Sequence, residues 1–354
     1  MAFYLPAANW LMLPYLKPTT KRLSSDFSFF DKHFILKAMN KILNLVSRGM
    51  APITLLCAIL AFYQPAIFLV FKPYFLWLFS ASMFALGLVL EPTELKSTLN
   101  KPKPIVIGVL SQYSIMPLLG AAAVWAAGLP PELALGVIIV GCAPGAMASN
   151  VIVFLAGGAV AFSVTLTTVA TFLSPLLTPL LVEWLGGTYL SIPFWPMMQT
   201  ILLTVLLPLI LGMLTRKVLG SHSKPLVEFA PTMASVAIII ICAYAVAANH
   251  DRLTNISSSL FIVIISVNAL GYLFGWLVAK FAQFNASYRL TLAIEIGMQN
   301  AGLGVALALK HFSPETALPG ALFAVWCVLT GAGASAWLRR KQAPKENSIT
   351  LERI

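Results

Sequence analysis

Apolar residues run in stretches of about 20 along nearly the whole chain, joined by connections too short to be domains. The stretches parse as 44–62, 67–90, 104–127, 132–157, 159–184, 193–215, 226–248, 257–281, 287–311 and 316–338. In lipid every backbone N–H and C=O needs a partner within the chain, so runs of this length predict helices. A barrel would instead need short alternating strands. The expected fold is all-α and integral to a membrane, with ten transmembrane helices. Two sets of five, 44–184 and 193–338, each cross an odd number of times, so the second set enters from the opposite side, as an inverted repeat does.

Composition agrees. The 354 residues are 59% hydrophobic and 10% charged, with a mean hydropathy of +0.88, beyond what a soluble core requires. The formal charge of +11 could point to nucleic acid, but the basic residues lie in loops and tails rather than along one stripe with interleaved aromatics. Topology explains them better. Twenty Lys and Arg fall on the side that holds the N-terminus, against Lys72, Arg252 and Lys310 on the other, which predicts cytoplasmic termini. Residues 1–40 read as a basic cytoplasmic leader and a poor secretory signal, 41–338 as the ten-helix body and 339–354 as a cytoplasmic tail. Met39 stands just before the first span and is an alternative start, which N-terminal sequencing of the native protein distinguishes from Met1. Cys57, Cys142, Cys242 and Cys327 have neither disulfide nor metal-ligand spacing and read as small core residues.

The fourth and ninth spans, at matching places in the two halves, are the two interrupted by Gly- or Asn-rich stretches. These are Gly141 to Asn150, with Pro144 between Gly141 and Gly145, and Glu295 to Gly302. Proline removes a donor and glycine relaxes the backbone, so both spans are expected to unwind. Gly297, Gly302 and Gly304 equally suit close helix packing.

Eleven of the twelve acids lie in tails, loops or at span ends, and only Glu295 sits well inside an apolar run. A carboxylate there costs at least about 2.5–3.5 kcal/mol on insertion scales, and no Lys or Arg lies at comparable depth. A proton or a bound cation must neutralise it. A hard cation needs a shell of oxygens, and the sequence supplies them: Gln299 one turn on, carbonyls freed around Ile296 to Met298, Ser149 and Asn150 in the other break, Ser163 and Thr167 at i, i+4, and Gln112 in the third span. Each has a plainer reading. The two span-five hydroxyls suit back-bonds to i−4 carbonyls, Ser149 and Asn150 suit a helix cap, and Gln112 suits an interhelical hydrogen bond.

The two break motifs, together with Gln112 to Pro117 and Pro319-Gly320-Ala321-Leu322-Phe323, resemble the bile acid:sodium symporter family, bacterial branch, over about 40–338. The resemblance implies ten helices with spans four and nine crossing at their breaks. It implies a core domain of spans three to five and eight to ten (about 104–184 and 257–338), and a panel of spans one, two, six and seven (about 44–90 and 193–248). It implies two sodium ions, one at Ser149, Asn150, Ser163, Thr167 and Glu295, the other at Gln112, Glu295, Gln299 and the carbonyls of Ile296 and Met298. It also implies sodium-coupled symport of a small organic anion by alternating access, in the inner (cytoplasmic) membrane. Bacterial bile-acid binders of the family tend to carry His-Asn where this chain has Cys327-Val328, and a His before the Asn where it has Val267-Asn268. The cavity is therefore expected to be more apolar, with Asn300, Asn268 and the half-helix starts near Ala146 and Ala301 left to meet a monoanion such as a bile salt, pantothenate or an oxo acid. Alternatives are a proton-driven carrier, or an arsenite-type exporter using Cys142. An intramembrane enzyme is disfavoured, since His33, His222, His250 and His311 lie in tails or loops and no base accompanies Ser149. The expected partners are the anion and the lipid bilayer, with no nucleic acid and no obligate protein partner.

Overall fold

The computed structural model describes residues 50–90, 102–253 and 258–342. The leader, the first residues of the first predicted span and the end of the tail lie outside these. Among the described residues the secondary structure is helical, with one isolated backbone bridge and no strand.

The helices are α1 (Met50–Tyr63), α2 (Phe75–Val89), α3 (Pro102–Ala127), α4 (Pro131–Gly141), α5 (Met147–Ala156), α6 (Val160–Gly186), α7 (Phe194–Ile201), α8 (Leu207–Leu219), α9 (Lys224–Ala247), α10 (Ser258–Phe281), α11 (Ala286–Gly297), α12 (Ala301–His311) and α13 (Pro314–Gln342). Five helical segments are long and apolar enough to cross a membrane by length and composition: Pro102–Ala127, Val160–Gly186, Phe194–Ala247, Ser258–Phe281 and Pro314–Ser335. Large apolar side chains face outward, among them Trp125 at 82% and Phe281 at 80% exposure. Buried polar side chains gather inside, the reverse of a soluble protein.

Three stretches depart from the predicted parse. The second span is not one helix from 67 to 90. A single turn at Ala66–Leu69 gives way to turns before α2 begins, because Pro73 donates no hydrogen bond and disfavours helix at Lys72. The sixth span divides into α7 and α8 around a π-turn, Leu202–Leu206, immediately before Pro208. The last helix starts at Pro314 and runs to Gln342, into the expected tail.

Prolines elsewhere are absorbed without breaking a helix. Pro175 within α6 cannot donate to the Thr171 carbonyl, and Ser174 Oγ donates to it instead at 2.8 Å.

Close packing uses glycine. Between α4 and α13, a Cβ at Gly136 would stand 2.3 Å from the Thr316 carbonyl oxygen. Between α2 and α8, a Cβ at Gly87 would stand 2.1 Å from the Leu209 oxygen and one at Gly212 would stand 2.2 Å from the Phe84 oxygen. Gly136→Val should therefore force α4 and α13 apart and destabilise the protein by about 1–3 kcal/mol. Gly333→Ala, whose Cβ would meet nothing within 4 Å, should not. Thermal unfolding in detergent measures both.

Candidate functional site at the helix breaks

The two predicted spans 132–157 and 287–311 are each broken where their sequences place the break. α4 ends at Gly141 and α5 begins at Met147, while α11 ends at Gly297 and α12 begins at Ala301. The breaks lie against each other and exchange backbone hydrogen bonds. Ala146 N donates to the Met298 carbonyl at 2.9 Å and Asn300 N donates to the Pro144 carbonyl at 2.8 Å, so Gly145 and Gln299 form an antiparallel bridge. Groups that neither helix can satisfy alone are satisfied between them.

Beside this bridge Glu295 is fully buried. Its Oε1 accepts hydrogen bonds from Ser149 Oγ at 2.5 Å and from Ser163 Oγ, and its Oε2 accepts one from Thr167 Oγ1 at 2.6 Å. Ser163 and Thr167 project from α6 at i, i+4, and Ser149 comes from the first turn of α5. Gly145 is small for a reason: a Cβ there would stand 3.0 Å from Glu295 Oε2. Asn150 does not reach the carboxylate, and its Oδ1 lies 2.7 Å from Ser163 Oγ, sharing that one hydroxyl with Glu295.

A second polar chain runs alongside. Gln112 Nε2 donates to Gln299 Oε1 at 2.7 Å and to the Ala143 carbonyl at 3.2 Å, and Gln299 Nε2 donates to the Ile296 carbonyl at 2.8 Å. The Met298 carbonyl takes the Ala146 amide. The amide nitrogens of Gln112 and Gln299 thus meet oxygens of the same cluster.

A cleft opens from the bridge toward α1 and α9. It is lined by Ala146, Met147 and Ala148 at the start of α5, by Gln299, Asn300, Ala301 and Gly302 at the second break, and by Thr54, Ile238, Ala324, Cys327 and Val328. No side chain caps α5, whose N-cap is Ala146, whereas Asn300 Oδ1 accepts from Leu303 N and caps α12. Two helix starts thus turn partial positive charge on a mostly apolar cleft. Asn268 was expected among the anion contacts, but the structure places it elsewhere. It is 1% exposed and is not among the cleft's lining residues. Its Nδ2 donates to the Gly297 carbonyl at 2.8 Å and its Oδ1 accepts from Thr330 Oγ1 at 3.0 Å, so it holds the end of α11.

The profile described as the sodium bile acid symporter family matches residues 75–257, more than half of the chain. The chain belongs to the sodium bile acid symporter family. It is 38% identical over 295 residues to the uncharacterized sodium-dependent transporter YocS of Bacillus subtilis (strain 168), covering 82% of this chain and 92% of that protein. It is 34% identical over 270 residues to the probable chloroplastic sodium/metabolite cotransporter BASS1 of Arabidopsis thaliana, covering 75% and 66% respectively. With the ileal sodium/bile acid cotransporter of Oryctolagus cuniculus it shares 30% identity over 239 residues, covering 66% and 68%. Sodium bile acid symporter relatives are thus named as transporters, not enzymes, and this is a membrane protein of a sodium-dependent transporter family.

The segment matched to the sodium bile acid symporter family ends before Glu295, so the meeting of the two breaks is read from the structure. Two site features escape the sequence reading. Thr54 lines the cleft from α1, and nothing in its apolar run marks it. Thr178 Oγ1 donates to the Cys142 carbonyl at 2.9 Å and satisfies the end of α4. A signal for it existed, since Ser163, Thr167, Thr171, Ser174 and Thr178 recur at helical spacing along α6. Removing one donor, as in Ser163→Ala or Thr167→Val, should cost about 1–3 kcal/mol of stability, measured by thermal unfolding. Thr165→Val should cost less, because that hydroxyl only bonds back to the Ala161 carbonyl.

Proposed function

We propose that this protein is a secondary active transporter that carries a small organic anion together with sodium by alternating access. The observation that carries the reading is Glu295, a buried carboxylate whose partners are three hydroxyls. Hydroxyl oxygens donate to a carboxylate and still offer lone pairs to a cation, which a Lys or Arg partner does not. One ion would take Ser149, Asn150, Ser163, Thr167 and Glu295. The second would take Gln112, Glu295, Gln299 and the carbonyls of Ile296 and Met298. Sodium suits such all-oxygen shells, and its charge offsets the carboxylate. The ion and the bridge are then coupled, because the same short segments hold both.

The anion would lie in the cleft with its charged group toward the starts of α5 and α12, near Ala146, Ala301 and Asn300, and its body against Ile238, Ala324, Cys327 and Val328. Asn268 then acts by holding the Gly297 carbonyl. This suits a monoanion with an apolar body, of bile salt, pantothenate or oxo acid type. Cys142 is fully buried and absent from the cleft, so an arsenite route through its thiol finds no support.

In this reading the ten helices form two inverted sets of five in the cytoplasmic membrane, with both termini cytoplasmic, and divide into a core and a panel. The tight glycine approaches support that division. Gly136 joins α4 to α13 and Gly275 joins α10 to α11, all core helices, while Gly87 and Gly212 join panel helices α2 and α8. At Gly302, which faces Phe79 of α2 and Ile238 of α9, an added Cβ would stand at the ordinary spacings of 3.5 and 3.8 Å from them. Surfaces without interlocked backbones can slide.

Purified protein in liposomes should take up an organic anion only with an inward sodium gradient, and Glu295→Ala should abolish that uptake. Uptake driven equally by a proton gradient without sodium would replace this reading with proton coupling. A Glu295→Gln protein that kept full sodium dependence would overturn the shared ion site.

A further inference from the structure

The sixth apolar span is a single run in sequence, yet its two halves pack on different bodies. α7 lies chiefly against α6 and α12, both core helices. Its Met197 and Ile201 are fully buried, and Thr200 Oγ1 shares a hydrogen bond of 2.9 Å with His311 Nε2 at the end of α12. α8 lies chiefly against α2 of the panel, with the backbones interlocked at Gly87 and Gly212. Between them stands the π-turn Leu202–Leu206, which touches α2 on one side and α6 on the other.

The chemistry of this turn is that of a relaxed helix. Leu207 N donates five residues back, to the Leu202 carbonyl, and Pro208 has no N–H to restore the regular pattern. The Thr200 carbonyl accepts from the Thr204 hydroxyl at 2.7 Å.

From this we infer that the boundary between the two moving bodies runs through the sixth span. α7 travels with the core, α8 stays with the panel, and Leu202–Leu206 is the hinge between them. The inference rests on the alternating-access reading, and it moves the first half of this span out of the panel to which the family resemblance assigns it.

Paired cysteines in a background with only the partly exposed Cys57 replaced, the buried Cys142, Cys242 and Cys327 being kept, test it. Thr200→Cys with His311→Cys bridges α7 to α12, and once oxidised it should leave sodium-driven uptake unchanged, because the two helices move together. Asn249→Cys with Pro314→Cys is the contrast. Asn249 Nδ2 donates to the Pro314 carbonyl at 2.7 Å, so that bridge ties the turn just after α9 of the panel to α13 of the core, and it should block uptake until reduced. Mass spectrometry confirms each bridge. Uptake lost on bridging 200 to 311 and regained on reduction would overturn the hinge.

A second measurement is independent of uptake. Amide hydrogen exchange across 203–207 should be faster than in α7 and α8 on either side, and Pro208→Ala should slow it. Exchange across 203–207 as slow as in both flanks would also overturn the inference. A parent protein with no sodium-dependent uptake counts against the transport reading, and the exchange pattern then decides the hinge by itself.

Discussion

A helix that unwinds inside a membrane leaves amide and carbonyl groups that lipid cannot satisfy, and in this protein each broken helix supplies what the other lacks. Ala146 N reaches the Met298 carbonyl and Asn300 N reaches the Pro144 carbonyl. Without this exchange both breaks would bury unpaired groups at a cost of several kcal/mol each. Other freed carbonyls are met by side chains: Thr178 on the Cys142 carbonyl, Gln112 on the Ala143 carbonyl, Asn268 on the Gly297 carbonyl and Gln299 on the Ile296 carbonyl. The site is therefore a consequence of backbone bookkeeping as much as of side-chain chemistry. Two half-helices start here, and their unsatisfied ends face one cleft.

Glu295 follows from the same constraint. It lies two residues before the end of α11, where the chain is about to cross the other break, and Gly145 opposite leaves room for its carboxylate. A lysine partner would fix the charge permanently. Three hydroxyls stabilise it without cancelling it, and in the proposed transport cycle a bound sodium ion would do the cancelling. A sodium-dependent carrier needs a negative group that is bearable when the ion is absent and better satisfied when it is present.

The proposed alternating access would require the opposite property, surfaces that are not committed. Backbones interlock through glycine within α4 and α13 and within α2 and α8, whereas α9 meets the second break across ordinary side-chain contacts. The π-turn in the sixth span belongs to this pattern. It is a helix defect between two segments that are each well packed, on different neighbours.

The sequence by itself determined the helical fold, the two breaks and the one buried acid. Apolar run length, Pro144 with its flanking glycines and the isolation of Glu295 are local properties, and lipid makes each of them binding. It was also enough to nominate Ser149, Ser163 and Thr167, because helical spacing puts the last two on one face. It did not say what Asn268 touches, since an amide in an apolar run looks the same whether it faces a cleft or holds a carbonyl. Nor did it mark Thr54 or the division of the sixth span. Those depend on which helix packs against which, and only the tertiary arrangement decided them, because the partners that settle a side chain's role come from other helices, as Gly297 and Thr330 do for Asn268 and Gly87 for α8.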